Sequence, residues 1–322
     1  MDLKTLVHAT ELDASSNLPL DAPFTAAVAR AEGVPRHQLT WLCQHGLLRQ
    51  PIHGVYVVTQ LPDSIMLRAE CLAIVVPDDC VICDRHAGWL HGAEMVLAPN
   101  EHLHLRPIRI FRPSGHGRLR NGLAESGERN FLPRDITEVM GLAVTTPIRT
   151  AWDLGRVRWP EPALCGLDAM LRRKLFSKAE LLAGVERFRG QRWVRTLRVF
   201  APLADGRSAS PGETVLRLRW LNCGLPHPVP QFEVWEDGRL IAILDLANPA
   251  LGYAAEYDGE EWHSSPEQKD HDRVRREAVS ERDFLVDVFK KENVFGRHQN
   301  AEQLLIAGAA KAVGARRSRV YL

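Results

Sequence analysis

Apolar positions change period several times along the chain, and the changes divide it into three stretches. Between Pro23 and Val58 the pattern predicts two short helices. Phe24 to Glu32 is the first, broken at Gly33 where a tight turn needs glycine. The second runs from Pro35 to about His45, with Leu39, Leu42 and Cys43 at i, i+3 and i+4 as its buried stripe. Pro35 suits a first helical turn, and Gly46 closes the helix. Leu47 to Arg49 and Val55 to Val58 then read as short strands flanking Gly54. Helix, turn, helix and hairpin in this order predict a winged helix-turn-helix domain over residues 1–62. The second helix of such a domain enters the major groove of DNA. Its outward positions are Arg36, His37, Gln38, Thr40, Trp41 and Gln44, with Arg49 at the start of the wing. A small helical hairpin used for protein contacts is the alternative.

Residues 63–205 read as mixed α/β. SIMLRAECLAIV is amphipathic at helical period, while HLHLRP and GLAVTT alternate as strands. Helices are expected near Pro147, over Glu161–Arg172 and over Ser177–Val185. No nucleophile is arranged with a base, so the stretch reads as scaffold, and Asp84, His86 and His91 read as structural.

The third stretch, 206–322, carries acids at telling places. Ser210-Pro-Gly-Glu213 opens a helix ending at Gly224. Two alternating strands, VPQFEVWE and RLIAILDLA, meet at the turn pair Asp237-Gly238. GYAAEYDG is a third strand, followed by a basic helix from about Pro266 to Arg282, a strand FLVDVF and a last helix from Ala301. Asp245 ends the second strand and Glu256 lies near the end of the third. Adjacent strands would bring them within about 4.8 Å. Two carboxylates so close call for a cation between them, and Mg2+ (or Mn2+) suits oxygen ligands while keeping its waters. A metal-activated water of this kind attacks phosphodiesters. An arginine partner would equally satisfy Asp245 between Leu244 and Leu246.

These residues resemble the core of the PD-(D/E)XK nucleases: Asp245 on one strand, Glu256-Tyr-Asp258 on the next, and Glu213 on the preceding helix. The segment Glu256-Tyr-Asp258-Gly-Glu-Glu-Trp-His263 is similar to the branch related to the very-short-patch mismatch-repair endonuclease. So is the downstream helix with Asp272, Arg273, Arg275 and Arg276. Most of residues 23–294, including the landmark TTPIRTAWDLG, resembles actinobacterial proteins that join an AbiEi-antitoxin-like N-terminal domain to such a C-terminus. The resemblance implies catalytic roles for Glu213, Asp245, Glu256, Asp258 and His263, with metal on Asp245 and Glu256. It implies DNA contacts from Arg273 and Arg276. One departure stands out: the general pattern has lysine where this chain has Asp258. His263 is the candidate replacement, as base or outer ligand, with Lys269, Lys290 and Lys291 less local. Glu213 also fits a capping box with Ser210, Asp258 fits a turn before Gly259, and His263 fits packing beside Trp262.

Composition narrows the class: hydrophobic residues are 45% and charged residues 25% of 322. The expected fold is α/β (α+β overall) in two or three domains. No apolar run reaches membrane-spanning length and the N-terminus has no signal-peptide core, so a cytoplasmic protein with no membrane partner is expected. The formal charge of +1 offers no global attraction for nucleic acid. Arg106, Arg109, Arg112, Arg118 and Arg120 form a local basic run without acids, loop-like, fit either for phosphate contact or for solvent. Cys80 and Cys83 with His86 and His91 are too close together for a usual zinc site and read as buried thiols. Three functions remain: a Mg2+-dependent endonuclease acting on double-stranded DNA in defence or mobile-element contexts, a non-catalytic AbiEi-type regulator paired with a cognate toxin, and a module that recognises a protein or modified base through the pocket.

Overall fold

The computed structural model describes residues 9–93, 107–117, 119, 124–259 and 284–320. The chain forms two compact units, Met1–Leu154 and Gly155–Leu322. Three sheets and their flanking helices give the mixed α+β fold expected. No helix among the described residues is long and apolar enough to cross a membrane.

The first unit opens on β1 (Phe24–Thr25), α1 (Ala26–Ala31), α2 (Arg36–Gln44), β2 (Leu48–Ile52) and β3 (Val55–Val58), with sheet order β1-β3-β2. This is the winged arrangement. One difference from the sequence pattern is at Phe24. Thr25 caps α1 by accepting the Val28 N–H at 3.3 Å, so the helix starts at Ala26. Phe24 is thereby freed to pair with β3, where its ring stacks on Tyr56 at 5.9 Å. Leu39 and Leu42 turn inward from α2 onto Phe24, Leu47 and Val58.

The same unit continues with α3 (Ile65–Ala73), β4 (Val81–Ile82), α4 (Asp84–Leu90), β5 (Ile108–Pro113), β6 (Ala124–Arg129), β7 (Ile136–Val139), β8 (Leu142–Thr145) and α5 (Pro147–Gly155). The sheet order is β6-β5-β4-β8-β7. The basic run expected to be a loop is in part strand β5, because Ile108 and Ile110 alternate into the core. Arg109 pairs with Glu125 at 2.9 Å and Arg112 with Asp79 at 2.8 Å; Arg106, Arg118 and Arg120 lie outside the described residues, as does most of HLHLRP. Cys80 and Cys83 are buried free thiols. His86 accepts the Arg109 N–H and His91 bonds the Thr145 carbonyl at 2.7 Å; burial lowers the His86 pKa to about 3. TTPIRTAWDLG acquires a structural reason: Arg149, buried, donates to Asp153 at 2.8 Å and Asp135 at 2.7 Å, and Arg129 ties Asp153 to Asp84.

The second unit begins with α6 (Pro160–Arg172), α7 (Lys178–Ala183) and α8 (Val194–Leu203). It continues with α9 (Pro211–Asn222), β9 (Val229–Glu236), β10 (Arg239–Asn248), β11 (Tyr253–Asp258), β12 (Leu285–Lys290), α10 (Lys291–Val294) and α11 (Ala301–Val320). The sheet order is β12-β11-β10-β9, with β11 and β12 parallel and the other pairs antiparallel. Parallel neighbours need a long crossover; the basic helix expected there, Pro266 to Arg282, falls outside the described residues. Trp220 of α9 stacks on Tyr253 at 5.2 Å, and Leu246, Ala255, Leu305 and Ala309 complete that core.

A buried ion pair fixes α9 against α6. Asp168, fully buried, accepts from Arg217 at 2.6 Å, Thr214 at 2.9 Å and the Asp205 N–H at 2.7 Å. Arg217→Met would strand that carboxylate, and breaking one half of such a pair costs about 3–5 kcal/mol. The double variant Asp168→Leu/Arg217→Met removes both charges and is expected to recover most of that stability. Urea midpoints of the two single variants and the double variant measure this; simple additivity would refute the coupling.

Candidate acidic centre and winged-helix surface

Ser210, Pro211, Gly212 and Glu213 form the first turn of α9. Ser210 is the N-cap, accepting the Glu213 N–H at 3.1 Å, and Pro211 fits the first helical position. The Glu213 carboxylate, 7% exposed, turns back to accept the Ala209 N–H at 2.7 Å rather than the Ser210 N–H, so only the Ser210 half of the expected capping box forms. Its Oε2 also accepts from Gln231 Nε2 at 2.9 Å. Burial raises the Glu213 pKa, the Ala209 N–H pulls it down, and the negative charge of Asp245 pushes it up again.

Gln231 thereby joins two of the candidate acids, since its Nε2 also reaches Asp245 Oδ1 at 3.4 Å. The pairs Leu246↔Pro230 and Leu244↔Phe232 set Gln231 opposite Asp245, and Gln231 holds a left-handed φ of 51° inside a strand. For a non-glycine residue that conformation costs free energy and persists only where surroundings impose it. On the other side of β10 the ladder to β11 runs from Asn248↔Tyr253 to Leu246↔Ala255. One further step of that register sets Asp245 against Glu256. The ladder to β10 stops short of that step, while the ladder to β12 on the other edge of β11 runs on to Asp258, and the Tyr257 N–H donates to Asp245 Oδ2 at 2.8 Å.

Glu256 is half-buried and Asp258 is exposed at the strand end. Asp258 is level with Lys290 on parallel β12, so a lysine of the neighbouring strand flanks the position where the general pattern carries one. His263, Arg273 and Arg276 lie outside the described residues. Among the described residues no group of three His, Cys, Asp or Glu side chains is arranged to hold a metal ion.

In the first unit, Arg36, His37, Thr40 and Gln44 are exposed on α2, while Gln38 and Trp41 are half-buried. Trp41 stacks with His45 at 3.7 Å, and His45 Nδ1 lies 2.9 Å from the Trp41 carbonyl oxygen. Arg49 donates to the Leu61 carbonyl at 2.8 Å, which holds the wing to the segment after β3. The hairpin turns at His53-Gly54, where Gly54 has a φ of 84° that glycine alone tolerates freely.

Sequence patterning missed Gln231 and the Tyr257 amide. Glutamine in a strand carries no signal of its own, and a backbone donor carries none at all. It also missed α8, whose arginine-rich first half and Pro202 hide the apolar stripe Val194, Leu197, Phe200 and Ala201.

Comparison with known proteins places the winged region first. Residues 23–59 match a family described as "Transcriptional regulator, AbiEi antitoxin". The fold of that region and the match define it as an AbiEi-type regulator domain. Over 246 residues the chain is 30% identical to uncharacterized protein Rv2248 of Mycobacterium tuberculosis strain H37Rv, covering 76% of this chain and 86% of the relative. The same figures hold for uncharacterized protein MT2308 of strain CDC 1551. The chain belongs to the family of these mycobacterial proteins.

The shifted Glu213 has a pH signature. With its pKa above the usual 4.5 in the folded state, the native protein holds this proton more tightly than the unfolded chain. Stability from this residue is therefore largest in acid and falls as pH rises from the unfolded value through the folded one. Glu213→Gln cannot ionise. Relative to wild type it is expected to gain ground as pH climbs from 4.5 to the raised folded value and to hold a fixed advantage above it, in urea unfolding at a series of pH values; a gap that never changes with pH would show that Glu213 titrates normally.

Proposed function

We propose that this chain is a regulator that binds double-stranded DNA through its winged helix, with α2 in the major groove. The observation that carries the reading is the coincidence of the AbiEi regulator match at 23–59 with an α2 that buries Leu39 and Leu42 and presents Arg36, His37 and Thr40 outward. An amphipathic helix of this kind leaves donors and acceptors for base edges and phosphates. Gln38, Trp41 and Arg49 support that surface from its margins. The antitoxin description of the matched family extends the proposal to a cognate toxin as protein partner. Fluorescence anisotropy on selected operator-type duplexes tests it. Arg36→Ala is expected to weaken binding about tenfold or more, corresponding to roughly 1–3 kcal/mol for a good base contact. Undiminished binding would remove α2 from the groove.

A second reading is favoured by Gln231, whose strained backbone holds a carboxamide between Glu213 and Asp245. On this reading the second unit is a PD-(D/E)XK-like phosphodiester hydrolase. Asp245 and Glu256 would hold Mg2+ or Mn2+. Their hard oxygen donors fit such an ion. A bound ion would supply water activation and charge stabilisation. Gln231 and Glu213 orient Asp245, Lys290 offers positive charge beside Asp258, His263 is the proposed proton acceptor, and Arg273 and Arg276 meet phosphates. Supercoiled plasmid incubated with the full chain and Mg2+ is expected to be nicked or linearised, and Asp245→Asn is expected to abolish this while preserving the Tyr257 hydrogen bond. Intact plasmid with both proteins, across modified and mismatched substrates, leaves the regulator reading alone.

A further inference from the structure

The chain as a whole is nearly neutral, but its charge is segregated. Between Gly155 and Arg207 twelve Lys and Arg stand against five Asp and Glu, a formal excess of +7 in a chain of +1. The acids of this stretch are already engaged. Asp168 is buried on Arg217, Asp205 pairs with Arg207, Glu186 with Arg198, Glu161 with Arg219, and Glu180 caps α7. The excess charge is therefore left with the remaining cations.

Three of these gather on one short span. Arg189 follows a 3-10 turn at Val185–Phe188, Arg192 lies in the loop before α8, and Arg195 is in the first turn of α8. All three are exposed. The loop carrying them is built rather than slack. Arg156 donates to Gln191 at 2.5 Å and lies over the Phe188 ring at 4.4 Å, while Gly190 and Trp193 both adopt left-handed φ, 78° and 63°. Trp193 is 36% exposed with the Arg192 guanidinium 5.0 Å from its ring. Arg195 is locally unfavourable where it stands, because the start of a helix already concentrates positive charge. Three exposed arginines within seven residues, spanning an anchored loop and the first turn of α8 with only Glu186 acting on one of them, have the form of a surface complementary to an array of anions.

We infer that Arg189, Arg192 and Arg195 form a second DNA-binding surface, in the unit that lacks the winged helix, and that it takes the phosphate backbone of duplex DNA without regard to sequence. The inference does not rest on the hydrolase reading, nor on α2 entering the groove. Every phosphate that a bound cation neutralises contributes about 0.9 to the slope of log affinity against log salt. For the full chain carrying Arg189→Ala, Arg192→Ala and Arg195→Ala, that slope is therefore expected to be shallower by about 2–3. Its affinity at moderate salt is expected to fall about tenfold or more on every duplex tested, and the triple Lys variant should restore the slope. An unchanged slope and affinity in the triple Ala variant, with an unaltered urea midpoint, overturns the proposal. Arg36→Ala in the same titration keeps the two surfaces apart, since failure there leaves the slope result untouched and speaks only against α2.

Discussion

One backbone amide decides the geometry of the acidic centre. Beyond Ala255 the β11 ladder with β10 ends, while its ladder with β12 on the other edge runs on to Asp258. The Tyr257 N–H past that end needs an acceptor, since an amide left unpaired out of water costs roughly 1–3 kcal/mol. Asp245 supplies it and is held in place by doing so. The ring of the same tyrosine packs so closely on α9 that a Cβ added to Gly212 would come within 2.0 Å of it. Tyr257 thus locates Asp245 through its backbone and the turn bearing Glu213 through its side chain. The absence of a side chain at Gly212 is what lets the two acids share Gln231.

The electrostatic setting of that centre differs from the rest of the interior. Asp135, Asp153 and Asp168 are buried acids, each met by an arginine within 2.8 Å. Glu213 is almost as inaccessible but is held by an amide and a carboxamide, both neutral donors. Burial outweighs those donors and the Glu213 pKa rises, as it does at Asp168 despite Arg217. A group so placed retains affinity for positive charge, whether proton or cation. The arginine-paired acids have already committed theirs to holding helices and strands together.

Much of the fold was legible because its signals are local. Gly33 and Gly46 punctuate α1 and α2, Asp237-Gly238 turns β9 into β10, and alternation in ILDLA and YAAEYD marks strands. Counting alternating positions in adjacent strands put Asp245 one step beyond the last β10–β11 pair, Leu246↔Ala255. What stayed hidden depends on neighbours distant in sequence. Phe24 leaves a helical pattern because β3 lies alongside, Ile108 to Pro113 is strand because two isoleucines find a core, and Gln231 matters only once Asp245 faces it.

Charge shows the same division between sum and arrangement. A total of +1 excluded a globally attractive protein but said nothing of where its charges lie. In the first unit two arginines of the basic run read as fit for phosphate, Arg109 and Arg112, are paired with Glu125 and Asp79 across short distances. In the second unit the acids are the ones consumed, by burial, by capping and by neighbouring arginines. Pairing therefore neutralises a strand in one place, while an excess of cations over acids leaves an unbalanced surface in another. Screening reduces the reach of such a surface to about 10 Å at 0.1 M salt. Its influence is therefore local, set by arginines on an anchored loop and the helix turn after it rather than by the chain's balance.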